Sequence, residues 1–382
     1  MRKKLTDMCT IQYGYAFDSK EFTDNSNFPQ LVRIRDVKRG YSETFFRGKY
    51  SLEYIIHTGD LLIGMDGEFN IARWRSGDAL LNQRVCKVTV KEDVDEEYLR
   101  FSLSRALKQI ENRTSFVTVK HLSTKELNSL ELECPNIQKQ KEISDRLVKI
   151  EEIISLRQQQ LAKLDELVKA RFVEMFGDPF LNLMNWNKIK IANAVTVEPQ
   201  NGMYKPQSNY VTDGTGTPIL RIDSFYDGEV TNFSLLKRLV CNEEEKQKYA
   251  LREDDIIINR VNSIEYLGKC ARITGLKEET VYESNMMRMH FDSKRFNPIY
   301  IIQLLCSQFI YRQIVNHAKK AVNQASINQK DVLDFDIYEP PIELQNTFGG
   351  FVKQTEQLKL PIQKSIEQME TLKKALMQQY FG

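Results

Sequence analysis

Cysteine and histidine are scarce in this sequence, and neither is spaced for a metal site or a disulfide framework. The six cysteines form no CxxC motif, and they are Cys9, Cys86, Cys134, Cys241, Cys270 and Cys306. The four histidines are scattered along the chain. Structural zinc sites and disulfide scaffolds both need closely spaced sets of these residues. We therefore expect no metal and reduced thiols, as in a cytoplasmic protein.

Long apolar runs and a strong net charge are also missing. No apolar stretch approaches the ~20 residues of a membrane span, and the N-terminal MRKKLTDMCT lacks the apolar core of a signal peptide. We expect a cytoplasmic chain with no membrane contact. The net charge is only +2, so a nucleic-acid surface must come from local clustering of cations. At 382 residues the chain should divide into two or more domains.

The motifs of common catalysts are absent. A methyltransferase acting on amino groups of adenine would need Asn/Asp-Pro-Pro-aromatic, and Tyr338-Glu339-Pro340-Pro341 has the wrong order. The glycines of residues 213–216 lead into Pro218 and a strand, which does not suit a cofactor loop. Residues 244–246 (Glu-Glu-Lys) are typical of a solvated helix face. GxSxG, HExxH and P-loop patterns do not occur, so we predict that the chain is not itself an enzyme and holds no cofactor.

Two long stretches with helical periodicity organise the sequence. Residues 137–177 contain no proline and no glycine before Gly177, and their apolar residues alternate at spacings of four and three, as in a coiled coil. Adding 205 to each number gives a second such stretch, residues 342–382, which also ends in Phe-Gly. The predicted seam consists of Ile143, Leu147, Ile150, Ile154, Leu161, Leu164, Val168, Met175, Phe348, Val352, Ile362, Ile366, Met369, Leu376 and Tyr380.

The two stretches can bury their seams against each other. We predict an antiparallel pair of long helices within one subunit, with a homodimerising coiled coil as the alternative. Gly349, Gly350 and Pro361 predict fraying or a kink in the second helix.

The segments before each long stretch share one pattern of strands and a helix. In the first, residues 31–35, 61–65 and 84–90 read as strands, residues 95–111 as a helix and residues 130–134 as a strand. Residues 219–223, 256–258 and 286–291 repeat the strands. The sequence thus predicts an α+β fold with a pseudo-twofold internal repeat. Its domains are residues 1–135 (the first head), 136–177, 178–340 (the second head) and 341–382.

The order head, helix, head, helix resembles the specificity subunit of type I restriction–modification systems, over essentially the whole chain. Local patterns carry the resemblance together with the two Phe-Gly endings. They are Gly14-Tyr15-Ala16-Phe17, residues 31–37 (LVRIRDV), residues 59–67 (GDLLIGMDG), residues 81–84 (LNQR) and residues 121–135. The second head departs from the first of these, with residues 201–205 reading NGMYK.

The resemblance implies two target-recognition domains, each reading one half of a bipartite, asymmetric sequence in double-stranded DNA. It implies that the helices separate these domains and dock two modification subunits, which methylate adenine with S-adenosylmethionine, and that a restriction subunit joins them. Competing interpretations are a non-catalytic coiled-coil scaffold with two protein-binding heads, and an enzyme with an unrecognised site.

DNA contacts need arginine, lysine, amide and hydroxyl groups, which bind base edges and phosphates. In the first head the candidates are Tyr13, Tyr15, Arg33, Arg35, Arg73, Asn82, Gln83, Arg84, Arg113, Lys120 and His121. In the second head they are Tyr204, Lys205, Arg221, Asn259, Arg260, Asn262, Lys319, Lys320, Asn323, Gln324 and Ser326. Residues 319–326 form the strongest cluster, because two lysines precede small amide and hydroxyl side chains.

Overall fold

The computed structural model describes residues 1–113, 120–230, 232–322 and 324–382 of the chain. Its helices are Leu5–Met8 (α1), Ile34–Arg39 (α2), Glu96–Arg113 (α3), Thr124–Asn128 (α4), Ile137–Phe176 (α5), Glu243–Tyr249 (α6), Pro298–Leu305 (α7), Gln308–His317 (α8), Gln329–Leu333 (α9) and Ile342–Phe381 (α10). Two of them, α5 and α10, have 40 residues each. No helix within these ranges is long and apolar enough to cross a membrane.

The strands are short and fall into a set before α5 and a set after it. The first set is Arg2–Lys4 (β1), Cys9–Tyr13 (β2), Phe22–Thr23 (β3), Gln30–Val32 (β4), Phe45–Phe46 (β5), Ile55–Ile56 (β6), Leu61–Gly64 (β7), Asn70–Arg73 (β8), Ala79–Leu81 (β9), Val85–Val90 (β10) and Glu131–Glu133 (β11). The second set is Asn187–Lys190 (β12), Val195–Asn201 (β13), Tyr210–Val211 (β14), Thr217–Leu220 (β15), Phe225–Tyr226 (β16), Gly228–Val230 (β17), Lys237–Leu239 (β18), Ile256–Asn259 (β19), Val261–Asn262 (β20), Cys270–Arg272 (β21), Val281–Tyr282 (β22), Met286–Phe291 (β23), Lys319–Lys320 (β24), Ala325–Ser326 (β25) and Asp336–Glu339 (β26). The fold is therefore mixed helix and sheet, as the α+β prediction states.

Contacts between residues divide the chain into two units. Unit 1 is Met1–Gln159 with Gln363–Gly382, and unit 2 is Gln160–Ile362. The division passes through both long helices, so each unit contains one half of α5 and one half of α10. The predicted domain limits, which follow the sequence repeat, stay a prediction.

Unit 1 is built on two small sheets and the helix α3. One sheet has the order β2-β10-β7-β8 and the other β3-β5-β4-β9-β6, while β1 pairs with β11. The apolar face of α3 packs on the first sheet, with Leu99, Leu103 and Leu107 buried against Leu61 and Ile63. Asp95 caps this helix by accepting a 2.8 Å hydrogen bond from the Tyr98 amide.

Unit 2 repeats this plan with more strands. Its sheets have the orders β13-β23-β19-β21-β17-β16, β14-β18-β15-β22 and β20-β25-β24, and β12 pairs with β26. The main core of the unit joins β19 and β23 to α7 and α8 and to the end of α5. Asn297 caps α7 through its side chain, and Pro298 follows at the first helical position.

Two predicted strands are wrong beyond their first residues. The strand predicted at 31–35 ends at Val32, and α2 begins at Ile34, because the Asp36 carboxylate accepts a 2.9 Å hydrogen bond from the Arg33 amide and caps a helical turn. The strand predicted at 219–223 ends at Leu220, where Arg221 and Ser224 close a turn. The alternation of apolar and polar residues over only five positions was too short to distinguish a strand from a strand that ends in a turn.

Within each unit the halves of α5 and α10 pack against each other and run antiparallel. In unit 1, Arg146 contacts Tyr380 and Glu151 contacts Lys373. In unit 2, Lys359 contacts Asp165, and Phe172 packs on Phe348. In both pairs of contacts, residue numbers rise in one helix as they fall in the other.

The predicted seam residues lie on the least exposed stripe of each helix. Those that are buried are Ile143, Leu147, Ile150, Val168, Phe348 and Val352. Those that are partly buried are Ile154, Leu161, Leu164, Met175, Ile362, Ile366, Met369, Leu376 and Tyr380. The aromatic residues Phe172 and Phe176, which the seam prediction omitted, are also buried.

The helix α10 continues through the positions where an interruption was expected. It runs from Ile342 to Phe381 with Pro361 inside it. Gly349 has a packing role, because a Cβ there would lie 2.9 Å from the Asn297 side-chain nitrogen. The glycine therefore lets α10 approach the start of α7 closely, and the surrounding packing outweighs its low helix propensity.

Candidate nucleic-acid interface

Two adjoining clefts in unit 1 bring together most of the predicted contact residues of the first head. The first cleft, of about 290 Å³, is lined by Arg33, Ile34, Arg35, Asn82, Gln83 and Arg84. The second cleft, of about 340 Å³, is lined by Tyr13, Gly14, Met65, Arg84, Val85, His121, Ser123 and Thr124. Arg84 belongs to both, so it stands at their boundary.

The strand ends that form these clefts are held by close backbone contacts. Gly14 passes directly over Asn82, and a Cβ on Gly14 would lie 2.1 Å from the Asn82 carbonyl oxygen. Tyr15 and Asn82 then form an isolated bridge. Only glycine permits this approach, which explains the glycine of the Gly-Tyr-Ala-Phe pattern.

Charged and polar groups meet where the clefts join. Arg84 Nη1 lies 2.8 Å from His121 Nε2, and Arg84 Nε lies 3.6 Å from a carboxylate oxygen of Asp66. The His121 ring also bonds to Asp66. Tyr13 donates a 2.8 Å hydrogen bond to Asn128, and burial raises the pKa of the Tyr13 hydroxyl to about 12, so it stays a neutral donor.

Several predicted residues of the first head have other surroundings. Arg73 is held by Glu96 at 2.9 Å and Glu97 at 2.6 Å, which ties β8 to α3. Lys120 lies 3.5 Å from Glu111, and Arg113 is exposed at the end of α3. Tyr15 is 52% exposed and packs on Phe17 and Tyr54.

A small sheet in unit 2 brings together several of the predicted residues of the second head. The strand of Lys319 and Lys320 pairs with that of Ala325 and Ser326. The second of these strands also pairs with Val261–Asn262. The two lysines and Gln324 are exposed, Ser326 and Asn262 are partly buried, and Asn323 lies outside the described residues. The result is a cationic hairpin beside Arg260.

The other candidates of the second head lie outside this sheet, and each has its own surroundings. Arg221 Nε lies 3.5 Å from Glu283, and neither of the two atoms has a hydrogen-bond partner in the described part of the chain. Asn259 is fully buried and donates to two backbone carbonyls. Lys205 is paired with Glu245 at 2.6 Å, whereas Tyr204 is 78% exposed.

The backbone hydrogen bonds around these sites match between the two units. In unit 1 the amide donors and their carbonyl acceptors, donor first, are Gly14 and Val85, Tyr15 and Leu81, Gln83 and Tyr15, Val85 and Asn82, Met65 and Arg84, and Leu122 and Met65. In unit 2 the corresponding pairs, in the same order, are Gly202 and Met286, Met203 and Tyr282, Ser284 and Met203, Met286 and Glu283, Arg260 and Asn285, and Ile327 and Arg260. The same frame therefore places Glu283 where unit 1 has Asn82, and Asn285 where unit 1 has Arg84.

The carboxylates Asp66 and Glu283 are functional candidates that the sequence reasoning missed. Both lie against a predicted contact arginine, Asp66 against Arg84 and Glu283 against Arg221. The match of Glu283 to Asn82 uses a shift of 201 positions, which differs from the 205 of the helices, so a gapless comparison hides it. Within the described ranges, no cluster of histidine, cysteine and carboxylate residues could hold a metal ion.

Comparison with known proteins finds similarity to one family. Residues 1–166 match the profile of the type I restriction modification DNA specificity domain. The chain is 28% identical to the type I restriction enzyme EcoBI specificity subunit of Escherichia coli, over 94% of this chain and 79% of that one. It is 22% identical to the MjaVIII specificity subunit of Methanocaldococcus jannaschii, over 85% of this chain and 79% of that one.

Solved structures show the same fold at low identity. The S subunit of a type I restriction–modification system from M. genitalium superposes with a TM-score of 0.59 at 13% identity, covering 100% of this chain and 96% of that one. A chain from a study of complex assembly in a type I system gives 0.54 at 15% identity, covering 100% and 97%. The chain is therefore similar to type I restriction–modification specificity subunits in sequence and in fold, and its residues 1–166 match a DNA specificity domain of that kind.

Proposed function

We propose that this chain recognises a bipartite, asymmetric DNA target, with one half-site read by each head. One observation carries the proposal: a single backbone frame, matched hydrogen bond for hydrogen bond, presents different side chains in the two units. Arg84 corresponds to Asn285, and Asn82 corresponds to Glu283. An asymmetric target requires that the two heads bind DNA in a similar way but present different side chains to the bases, because base edges are distinguished by their hydrogen-bond donors and acceptors.

In the proposed complex, base reading and phosphate binding fall to different residues. The strand-end groups Arg33, Arg35, Asn82, Gln83 and Arg84 would face base edges from the first head. The exposed Lys319 and Lys320 would bind phosphates beside the second half-site, because lysine is a strongly hydrated point charge on a flexible stem.

The long helices have two proposed roles, as spacer and as docking surface. A coiled coil formed by α5 and α10 would hold the heads about one turn of DNA apart, roughly 34–36 Å. We infer that two modification subunits dock on this frame and methylate adenine with S-adenosylmethionine, and that a restriction subunit joins the complex. In this proposal the modification subunit binds the cofactor, and this chain recognises the DNA sequence.

The decisive experiment maps methylated adenines in DNA from cells that carry this chain with its modification subunit. We expect one bipartite motif. Exchanging residues 186–338 for the corresponding segment of another specificity subunit should alter one half-site and leave the other unchanged. If both half-sites change together, the heads are not independent readers and the proposal is wrong.

Salt dependence separates DNA recognition from a protein-binding scaffold. Binding of the purified chain to a duplex should weaken steeply with salt, because each phosphate contact releases a counterion. Reversing both charges by the double substitution Lys319→Glu and Lys320→Glu should make this dependence shallower. A salt-independent affinity, or no affinity for duplex DNA, would favour the scaffold.

A further inference from the structure

Arg84 has an unusual backbone conformation. Five non-glycine residues in the described part of the chain have a positive φ, and four of them are asparagine or aspartate. The fifth is Arg84, with φ of 69°. Asparagine and aspartate tolerate this left-handed region, whereas other residues with a Cβ are strained there. Strain of this kind persists where the surrounding structure enforces it, and it is concentrated at functional sites.

Backbone hydrogen bonds close the turn that contains Arg84. Its carbonyl oxygen accepts a 2.9 Å hydrogen bond from the Met65 amide, and the next residue, Val85, donates to Asn82 to close the turn. The matched turn of unit 2 has Asn285 at this position, and Asn285 is not among the left-handed residues. The same hydrogen bonds therefore do not require a positive φ, and the strained conformation is particular to Arg84. Strain at one residue of a shared turn marks that residue as a candidate for a functional role.

The side chain of Arg84 is both oriented and accessible. His121 and Asp66 contact its Nη1 and Nε atoms, and the Nη2 atom takes part in neither contact. Asp66 also bonds to His121, and the two residues form a backbone bridge, so the three groups brace one another. The Arg84 side chain is still 49% exposed. It lines both clefts, so the guanidinium stands at the centre of the candidate surface.

The chemistry of this group selects one base. Guanine presents two acceptors, O6 and N7, in the major groove, and the arginine fork can donate to both. Adenine presents one acceptor and one donor there, and cytosine presents a donor. An oriented arginine therefore prefers guanine, whereas a mobile one would also serve as a phosphate contact.

We propose that Arg84 is the specificity-determining residue of the first head and hydrogen-bonds to a guanine of its half-site. Asp66 and His121 are its positioning residues. This inference rests on the proposed function and adds the identity of a base. Since the matched residue of unit 2 is Asn285, this arginine–guanine contact belongs to the first half-site alone.

The test compares variants of the full chain, each assembled with the modification subunit, by methylation of a library of duplexes. In Arg84→Gln, one G·C pair of one half-site should become degenerate, with its preference over the other bases falling about 10- to 100-fold. The other half-site should not change. Arg84→Lys keeps the charge without the fork and should show the same loss. Arg47→Gln, on an exposed arginine of the same unit that pairs with Glu21, should leave the motif intact.

Further variants protect the test against misfolding and against failure of the general proposal. Arg84→Gly removes the strained side chain, so it should fold with unchanged or higher thermal stability and still lose the guanine preference. Asp66→Asn and His121→Gln should partly relax the same base pair and no other. Uniform weakening by Arg84→Gln, with every base preference kept, would show a phosphate contact and overturn the inference alone. A wild-type complex without a bipartite motif would overturn the proposed function together with the inference.

Discussion

At the scale of single residues, one buried glutamine ties each head to a long helix. Gln140 donates 2.8 Å to the Pro135 carbonyl and accepts 3.0 Å from the amide of Asp95, which caps α3. In unit 2, Gln345 donates 2.8 Å to the Pro340 carbonyl and accepts 2.9 Å from the amide of Asn297. Because these amides are buried and satisfied, they fix how the head meets the helix.

Replacing this glutamine should therefore destabilise the unit that contains it. We expect Gln140→Ala to lower the free energy of unfolding by about 1–3 kcal/mol, because the part-buried Asp95 amide and Pro135 carbonyl lose their partner. Urea denaturation of the full chain measures the change. Gln138→Ala, at an exposed position of the same helix, is the matched control. Equal effects of the two substitutions would contradict the role assigned to Gln140.

At the scale of elements, Glu151 joins three helices of unit 1. Its carboxylate lies 2.6 Å from Arg100 of α3 and 2.6 Å from Lys373 of α10. Burial alone would raise the pKa of Glu151, but hydrogen bonds and charge attraction from Arg100 and Lys373 outweigh it and lower that pKa. A carboxyl with a lower pKa in the folded state stabilises folding above its unfolded pKa.

The contribution of Glu151 should therefore depend on pH with a definite sign. It should be complete at neutral pH and should disappear as the pH falls below about 4.5, the ordinary glutamate value, through the lower folded pKa. Glu151→Gln should lower the melting temperature at pH 7 and bring it closer to that of wild type at acidic pH. Glu152→Gln, on an exposed neighbour, is the control. A constant difference at all pH values would contradict this coupling.

At the scale of the whole molecule, the proposed spacer role makes the length of α5 and α10 a determinant of the DNA target. The two helices pair in antiparallel fashion inside each unit, so both must be lengthened to keep both sets of contacts. Seven residues preserve the spacing of the apolar seam and add about 10.5 Å to a helix. At about 3.4 Å per base pair, this corresponds to roughly three base pairs.

Insertion of one heptad after Gln159 and one after Ile362 should lengthen the gap between the half-sites by roughly three base pairs. Both half-site sequences should remain. Mapping of methylated adenines measures the gap directly. Insertion into α5 alone should instead destabilise the chain, because the paired contacts lose register. An unchanged gap in the double insertion would mean that the helices do not set the distance.

The sequence by itself determined the elements that depend on local periodicity. The long helices end within one residue of their predicted limits, because an apolar stripe at spacings of three and four needs no distant information. Helix caps are equally local: the Ser123 side chain accepts a hydrogen bond from the Glu126 amide at the start of α4. The similarity of the two helices was also visible in the sequence, since a constant shift of 205 positions joins their apolar residues.

Tertiary structure decided which polar side chains meet. From the sequence, Arg73 and Arg84 were both candidates for DNA contact. In the folded chain Arg73 forms ion pairs with two carboxylates of α3, whereas Arg84 lines both clefts. Asp66 and His121, which are 55 positions apart, became partners of Arg84 only because strand ends converge there. The reason is physical: a helical stripe is fixed by hydrogen bonds between near neighbours, whereas the partner of a charged side chain is fixed by the path of the whole chain.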